Sequence, residues 1–260
     1  MSKVAMAIAA HPDDIEFVMA GTLLLLKEQG YTIHYMNLST GNCGSTEHDS
    51  STTTSIRMEE AKNSTKILGA TFHPPICNDF EIFYGIDLLR KVTSVIRKVE
   101  PSLILTHSPS DYMEDHMTTS RLAVTAAFIR GVPNFIADYP AVANNNCAIY
   151  HALPHGLLDP LRQRVIPELF IDTTSVQPLK REALSAHRSQ QNWLEDSQKM
   201  NSYIQAMEDF SLRVGKMSGK YEHAEGWRRH LHLGFSEAGY DPLKELEDFY
   251  LKNDDYQAVD

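Results

Sequence analysis

Only three cysteines occur in 260 residues, Cys43, Cys77 and Cys147, an odd number with no CxxC pair, which argues against both a disulfide scaffold and a cysteine-rich zinc module. A reducing compartment is the simpler setting. Basic residues are also short, with 24 Lys and Arg against 34 Asp and Glu for a formal net charge of −10. A surface built to grip nucleic-acid phosphates or anionic membranes would carry the opposite balance. Long apolar runs are missing too: the opening MSKVAMAIAAHPDD meets charge too early for a signal peptide or a membrane span. A cytoplasmic protein without nucleic-acid or membrane partners is the expectation. Neither GxxxxGK(S/T) nor GxGxxG follows the first apolar run, so nucleotide hydrolysis and hydride transfer lack their phosphate cradle.

What is present is a folded composition, 42% hydrophobic and 22% charged, of a length that suits one large α/β domain. Val4 to Ala10 reads as a buried strand that ends abruptly at HPDD. Glu16–Gln29 reads as a helix stopped by Gly30, and Tyr31–Leu38 as a second strand leading into the polar loop Ser39–Ser55. The spacing predicts helices over Ile56–Leu68, Ile86–Val99 and Thr118–Arg130, with an extended segment near Thr71–Pro74. Leu103–Thr106 is a strand that empties into HSPSDYMEDH. Ile149–Ala152 and Val165–Ile171 are later strands, Ala141–Cys147 is a loop, and Ser175–Leu194 and Met200–Val214 are helices. No repeat or low-complexity linker divides the chain, so a single domain over 1–260 is expected. Its core covers about 1–175, and the extension of about 176–260 forms a cap or rim.

Two polar loops therefore follow two separate strands, and open parallel sheets hold their sites beyond the carboxyl ends of the strands. The first loop carries His11, Asp13, Asp14 and Glu16, and the second carries Asp111, Asp115 and His116. His11 and Asp14 are spaced to supply two donors to a metal, and His116 a third from across the crevice. Asp13, between the two, remains free to take a proton from an activated water. Asp115 is placed to orient an imidazole or to hold a proton-transfer group. The alternative is that these carboxylates cap a helix and the histidines are incidental.

AHPDDIE after the first strand, the Thr40–Gly44 loop, RMEEAKNSTKILG at Arg57–Gly69 and DYMEDH at Asp111–His116 stand in an order that resembles the LmbE-like, or PIG-L, family of zinc-dependent N-deacetylases. The resemblance covers roughly the first 130 residues well and the rest weakly. It implies a Rossmann-like, mostly parallel sheet flanked by helices, one zinc ion, and removal of acetyl groups from amino sugars or their conjugates. Carried onto this chain, it implies His11, Asp14 and His116 as zinc ligands, Asp13 as general base, and Arg57 as an arginine at the site, which an ordinary ion pair would equally explain. Tyr112, Asp111 and Cys43 join Arg57 as substrate-binding candidates. The partner would be a small N-acetylated sugar or conjugate, and relatives of this kind commonly self-associate into homo-oligomers. Fe(II), Co(II) or Ni(II) would suit a similar donor set, so zinc is a preference drawn from the family.

One position departs from the family pattern. Where DxHxDH often places a histidine that assists the oxyanion, this chain has Met113, which cannot donate a strong hydrogen bond. His187, in AHRSQ, and His107 are the candidates to replace it, against a structural role for either. Asp13, Asp115 and His187 thus form the catalytic set drawn from sequence. His151, His155, His230 and His232 fit a pocket rim better than a second metal site. Cys43 has no basic neighbour in sequence to make it a nucleophile. Two other readings stay open: an amidase for another acyl group, and a metal-binding protein whose activity has lapsed.

Overall fold

In the computed structural model the described residues are 3–142, 146–191 and 203–256. Strand β1 (Val4–Ala9) is almost wholly buried, and its side chains alternate between two cores. Ala5, Ala7 and Ala9 face one cluster, while Met6 and Ile8 face the other. That two-sided burial is why the strand reads as a continuous apolar run. Strands β2 (Thr32–Asn37), β3 (Thr71–His73), β4 (Leu103–Thr106) and β5 (Ala148–Ala152) join it in parallel, through β1–β2, β2–β3, β1–β4 and β4–β5 pairs. The sheet order is β3-β2-β1-β4-β5-β7-β6-β8, with β6 (Leu169–Asp172), β7 (Ala224–Arg229) and β8 (Tyr250–Lys252) forming an antiparallel flank.

The chain winds outward from β1 to β3 and then returns to place β4 on the other side of β1. This is a topological switch point, and the crevice it opens lies between the carboxyl ends of β1 and β4. HPDD and HSPSDYMEDH are the segments that leave those two ends.

The helices largely follow the sequence pattern, with instructive shifts. The segment expected as one helix over Glu16–Gln29 is two, α1 (Asp14–Val18) and α2 (Ala20–Glu28), broken at Met19, whose φ is −133°. Helix α3 (Ser50–Leu68) begins six residues before Ile56 because the Asp49 carboxylate accepts the Thr52 N–H at 2.8 Å. Helix α4 (Ile86–Val99) matches its expected bounds. Helix α5 (Glu114–Ile129) starts before Thr118, which puts Asp115 and His116 in its first turn. The strand expected over Val165–Ile171 is confined to β6, since Pro167 has no N–H to give and Val165 N–H bonds the Leu157 carbonyl in a turn. The helix expected over Ser175–Leu194 is broken: α6 (Gln177–Leu184) has Pro178 in its first turn, where the missing N–H costs nothing, and after an interruption at 185–187 the chain is helical again over 188–191. The last helix, α7, spans Tyr203–Ser218. Residues 143–145 of the expected loop, 192–194 of the long helix and 200–202 of the next lie outside the described residues.

Helices α6 and α7 provide the expected cover, but the tail also enters the sheet. Strand β7 lies between β5 and β6, antiparallel to both. It carries Glu225, which accepts the Gly21 and Thr22 N–H groups at the start of α2, each at 2.8 Å, and the Lys180 ammonium at 2.6 Å. Lys180 and Glu225 are both fully buried. This buried pair ties α2, α6 and β7 together.

Candidate active site

The HPDD turn is fixed to the sheet at several points. Ala10 N–H donates to His107 Nε2 at 3.0 Å, Ser39 N–H donates to the Ala10 carbonyl at 2.9 Å, and the Asn37 side-chain amide donates to the His11 carbonyl. Asp13, the residue before α1, has φ of 107°, an uncommon conformation for a side-chain-bearing residue. Arg57, reaching from α3, clamps that turn by donating from Nη2 to the Pro12 carbonyl at 2.6 Å and to Asp13 Oδ2 at 3.1 Å. Glycine is required where Arg57 passes: a Cβ on Gly41 would lie 2.6 Å from its Nε, and one on Gly44 2.5 Å from its Nη1. The loop bearing Cys43 is therefore shaped around the arginine. Asp79 ties it down by accepting from Ser39 Oγ, Gly41 N–H and Cys43 N–H.

Ligand atoms of His11, Asp14 and His116 all lie within 4.8 Å of one another. His11 Nδ1 is 3.3 Å from Asp14 Oδ2, and His116 Nε2 is 3.4 Å from Asp14 Oδ1. The opposite ring nitrogens are anchored by carboxylates: His11 Nε2 by Asp115 at 3.1 Å and His116 Nδ1 by Asp111 at 3.0 Å. That leaves one nitrogen of each ring turned toward Asp14, the pattern by which carboxylates orient metal-ligating imidazoles. Burial lowers the pKa of His11, but hydrogen bonds to Asp115 and Asp14 outweigh it and hold the ring at about 9. His116 likewise stands at about 10, burial being overcome by Asp14 and Asp111. Burial acts to raise Asp14, yet His116 and His107 hold it well below the usual carboxylate range. Three carboxylates around two imidazoles make a field that favours added positive charge, and a divalent cation fits this donor set.

A second trio, His107, Asp111 and His116, is comparably close. His107 fits it less well, because its Nε2 already accepts the Ala10 N–H and its ring is stacked flat on His116, with centroids 4.1 Å apart.

These groups open into a cavity of about 420 Å³. Asp13, Asp14, Cys43, Arg57, Asp111 and Tyr112 all line it, as does Met113. Burial raises the Asp13 carboxyl, opposed by Arg57, and Tyr203 also hydrogen-bonds it. Asp115 lies behind His11 and additionally accepts the Phe80 N–H at 2.9 Å. The Cys43 thiol is pushed up by burial and by Asp79, which works against a thiolate at neutral pH.

His187 is fully buried outside the cavity lining, with Nε2 3.1 Å from Glu16 Oε1. His107 does line the cavity, but it is buried, with Nε2 at the Ala10 N–H and 3.3 Å from Asp14 Oδ2. Sequence reasoning did not single out Asp79, Gln190 or Tyr203, all of which line the cavity. Gln190 belongs to AHRSQ and Tyr203 opens α7, so only the former carried a usable signal. Of the later histidines, His155 lines the cavity, whereas His151 and His230 belong to a separate one of about 340 Å³. There His151 Nε2 meets His230 Nδ1 at 3.0 Å, and His151 Nδ1 meets the His107 carbonyl at 2.8 Å.

Burial lowers the pKa of His151 to about 4, with nearby His230 and Arg228 adding to the shift. In the unfolded chain the ring titrates near 6.5, so between about 6.5 and 4 the unfolded state binds the extra proton. This contribution is therefore complete above about pH 6.5 and is lost progressively as pH falls toward 4. Urea unfolding at pH 7.5 and 4.5 should show a decline to which His151 contributes on the order of 2–3 kcal/mol. A His151→Asn variant should have a correspondingly flatter profile, and an unchanged slope would refute the assignment.

A mostly parallel sheet thus gathers two imidazoles and a carboxylate around one point at its switch point, a donor set that suits a divalent cation, with a further carboxylate beside them. The family described as PIG-L, GlcNAc-PI de-N-acetylase, matches residues 6–127. Diacetylchitobiose deacetylase of Thermococcus kodakarensis is 30% identical over 239 residues, covering 87% of this chain and 82% of its own. The chain belongs to this family of de-N-acetylases, hydrolases of a carbon–nitrogen amide bond. In three dimensions it is similar to GalB, the 4-carboxy-2-hydroxymuconate hydratase of Pseudomonas putida, with a TM-score of 0.73, 25% identity, and coverage of 87% of this chain and 95% of that one. N,N'-diacetylchitobiose deacetylase of Pyrococcus horikoshii shares the fold at a TM-score of 0.73 and 23% identity, over 93% of this chain and 89% of that one. Among the described residues no helix is long and apolar enough to cross a membrane.

Proposed function

We propose that the chain removes an N-acetyl group from an uncharged amino sugar or amino-sugar conjugate, with His11, Asp14 and His116 holding a zinc ion. The observation that carries this reading is Asp13: it lines the cavity beside the trio without belonging to it, and Arg57 and Tyr203 fix its carboxylate. A bound divalent ion would supply Lewis acidity in this cavity. Asp13 accepts the proton of the attacking water and returns it to the departing nitrogen, so that acetate and a free amine leave. Arg57 sets the orientation of Asp13 and has little left for substrate, since it also donates to the Pro12 and Gly41 carbonyls. Asp115 and Asp111 keep the two imidazoles turned toward Asp14.

The substrate class follows from the lining. Among the described lining residues Arg57 is the single lysine or arginine, against Asp13, Asp14, Asp79 and Asp111. A polycarboxylate such as the one named for the P. putida hydratase would find no uncommitted lysine or arginine among these residues to pair with, which disfavours hydration of such a compound here. Tyr112 and Phe80, 59% and 64% exposed, instead offer ring faces at the cavity to the apolar side of a sugar.

Zinc-loaded protein should release acetate from N-acetylglucosamine or N,N'-diacetylchitobiose, lose this activity on chelation and regain it with zinc. Failure on both sugars, together with turnover of an unsaturated tricarboxylate, would replace this reading with the hydratase one.

A further inference from the structure

We propose that His155 reads a hydroxyl group of the sugar, an inference that rests on the deacetylase reading above. His155 begins a short turn, His155–Leu157, just beyond β5, and lines the same cavity as the His11, Asp14 and His116 group. Its ring is held by aromatic neighbours on several sides: Phe17 edge-on with centroids 5.1 Å apart, Phe210 stacked at 6.2 Å, and Tyr112 at 6.2 Å. Tyr112 in turn packs edge-on against His116 at 5.5 Å, so His155 stands one aromatic ring away from the ligand trio.

The other imidazoles of the cavity are buried and each is already engaged by protein groups. His11 is engaged by Asp14 and Asp115, His116 by Asp14 and Asp111, and His107 by the Ala10 N–H. His155 makes ring contacts but no hydrogen bond to any described residue. A neutral imidazole carries one donor and one acceptor nitrogen, the complement of an alcohol, which also gives one hydrogen bond and accepts others. Partial burial among aromatic rings favours that neutral form. An otherwise apolar wall of Phe17, Val18 and Leu153 is thereby given one polar handle. His155 contacts the ring of Tyr112 but none of the rings of the ligand trio, which fits recognition rather than proton transfer.

The test compares wild type, His155→Ala and His155→Gln on whichever of N-acetylglucosamine and N,N'-diacetylchitobiose is turned over. Each is also assayed on analogues of that sugar lacking one hydroxyl apiece. Wild type should lose about tenfold or more in kcat/KM when one particular hydroxyl is removed. In His155→Ala that penalty should shrink to less than about threefold, chiefly through a raised KM, because the hydroxyl and its partner would no longer be coupled. His155→Gln, which keeps a donor and an acceptor, should retain part of the discrimination, and metal content and melting temperature should match wild type. Equal losses by His155→Ala on all the analogues, or no loss at all, would overturn the inference while leaving the deacetylase reading intact. A zinc-loaded wild type that releases no acetate from either sugar would instead sink that reading and this inference with it.

Discussion

Asp13→Asn should lower kcat for acetate release by roughly 10²–10⁴-fold, the range that a positioned general base contributes, while bound metal stays near one ion per chain. Asparagine is the informative replacement because Asp13 sits at φ of 107°, a region that asparagine tolerates better than alanine does. Arg57 would still find the Pro12 carbonyl, so the turn should keep its shape. His116→Ala should behave in the opposite order, with metal content falling first and activity following it, because His116 belongs to the donor trio and Asp13 does not. Metal analysis beside steady-state kinetics separates the two. An Asp13→Asn protein with nearly normal turnover would remove Asp13 from the mechanism.

The second large effect concerns stability. Glu225→Ala should destabilise the fold by about 3–5 kcal/mol, the usual cost of removing one partner from a buried ion pair. The loss has two parts: the Lys180 ammonium, fully buried, would lose its counter-charge, and the Gly21 and Thr22 N–H groups would lose their acceptor. Lys180→Met should cost clearly less, because the Glu225 carboxylate would keep three donors at the start of α2, including Thr22 Oγ1 at 2.6 Å. Urea denaturation of the two variants checks the ranking. Equal losses would mean that the charge pair, and not the capping of α2, dominates.

Much of the site was legible because it depends on local order. Two strands that end in His- and Asp-bearing loops place those loops at one edge of a parallel sheet, and β1 and β4 do pair side by side. Position in α5 is harder to read, since the spacing predicts that helix only from Thr118. The structure begins it at Glu114, with Met113 as the preceding residue. Asp115 was expected to orient an imidazole or hold a proton-transfer group, and the geometry puts it on His11. The parts that stayed hidden are long-range. Asp79 acts through a loop 36 to 40 residues away, and Glu225 acts on backbone 203 and 204 residues earlier in the chain. His187 shows the converse limit: a histidine in a suggestive segment turned inward, because α6 ends at Leu184 and the following turn packs against Glu16. Nothing in the local pattern around Ser185 distinguishes that ending from a continuing helix.

The position of β7 bears on how the chain is made. Its neighbours β5 and β6 are complete by Asp172, yet the strand that joins them ends at Arg229. During synthesis the ribosome must therefore deliver more than fifty further residues while β5 keeps an unpaired edge and β6, which pairs with β7 and β8, has neither neighbour yet. Exposed edges of this kind recruit other chains. Nascent protein stalled between these two points should be the species most dependent on chaperones, and the sheet should lock shut only when β7 slides into its slot.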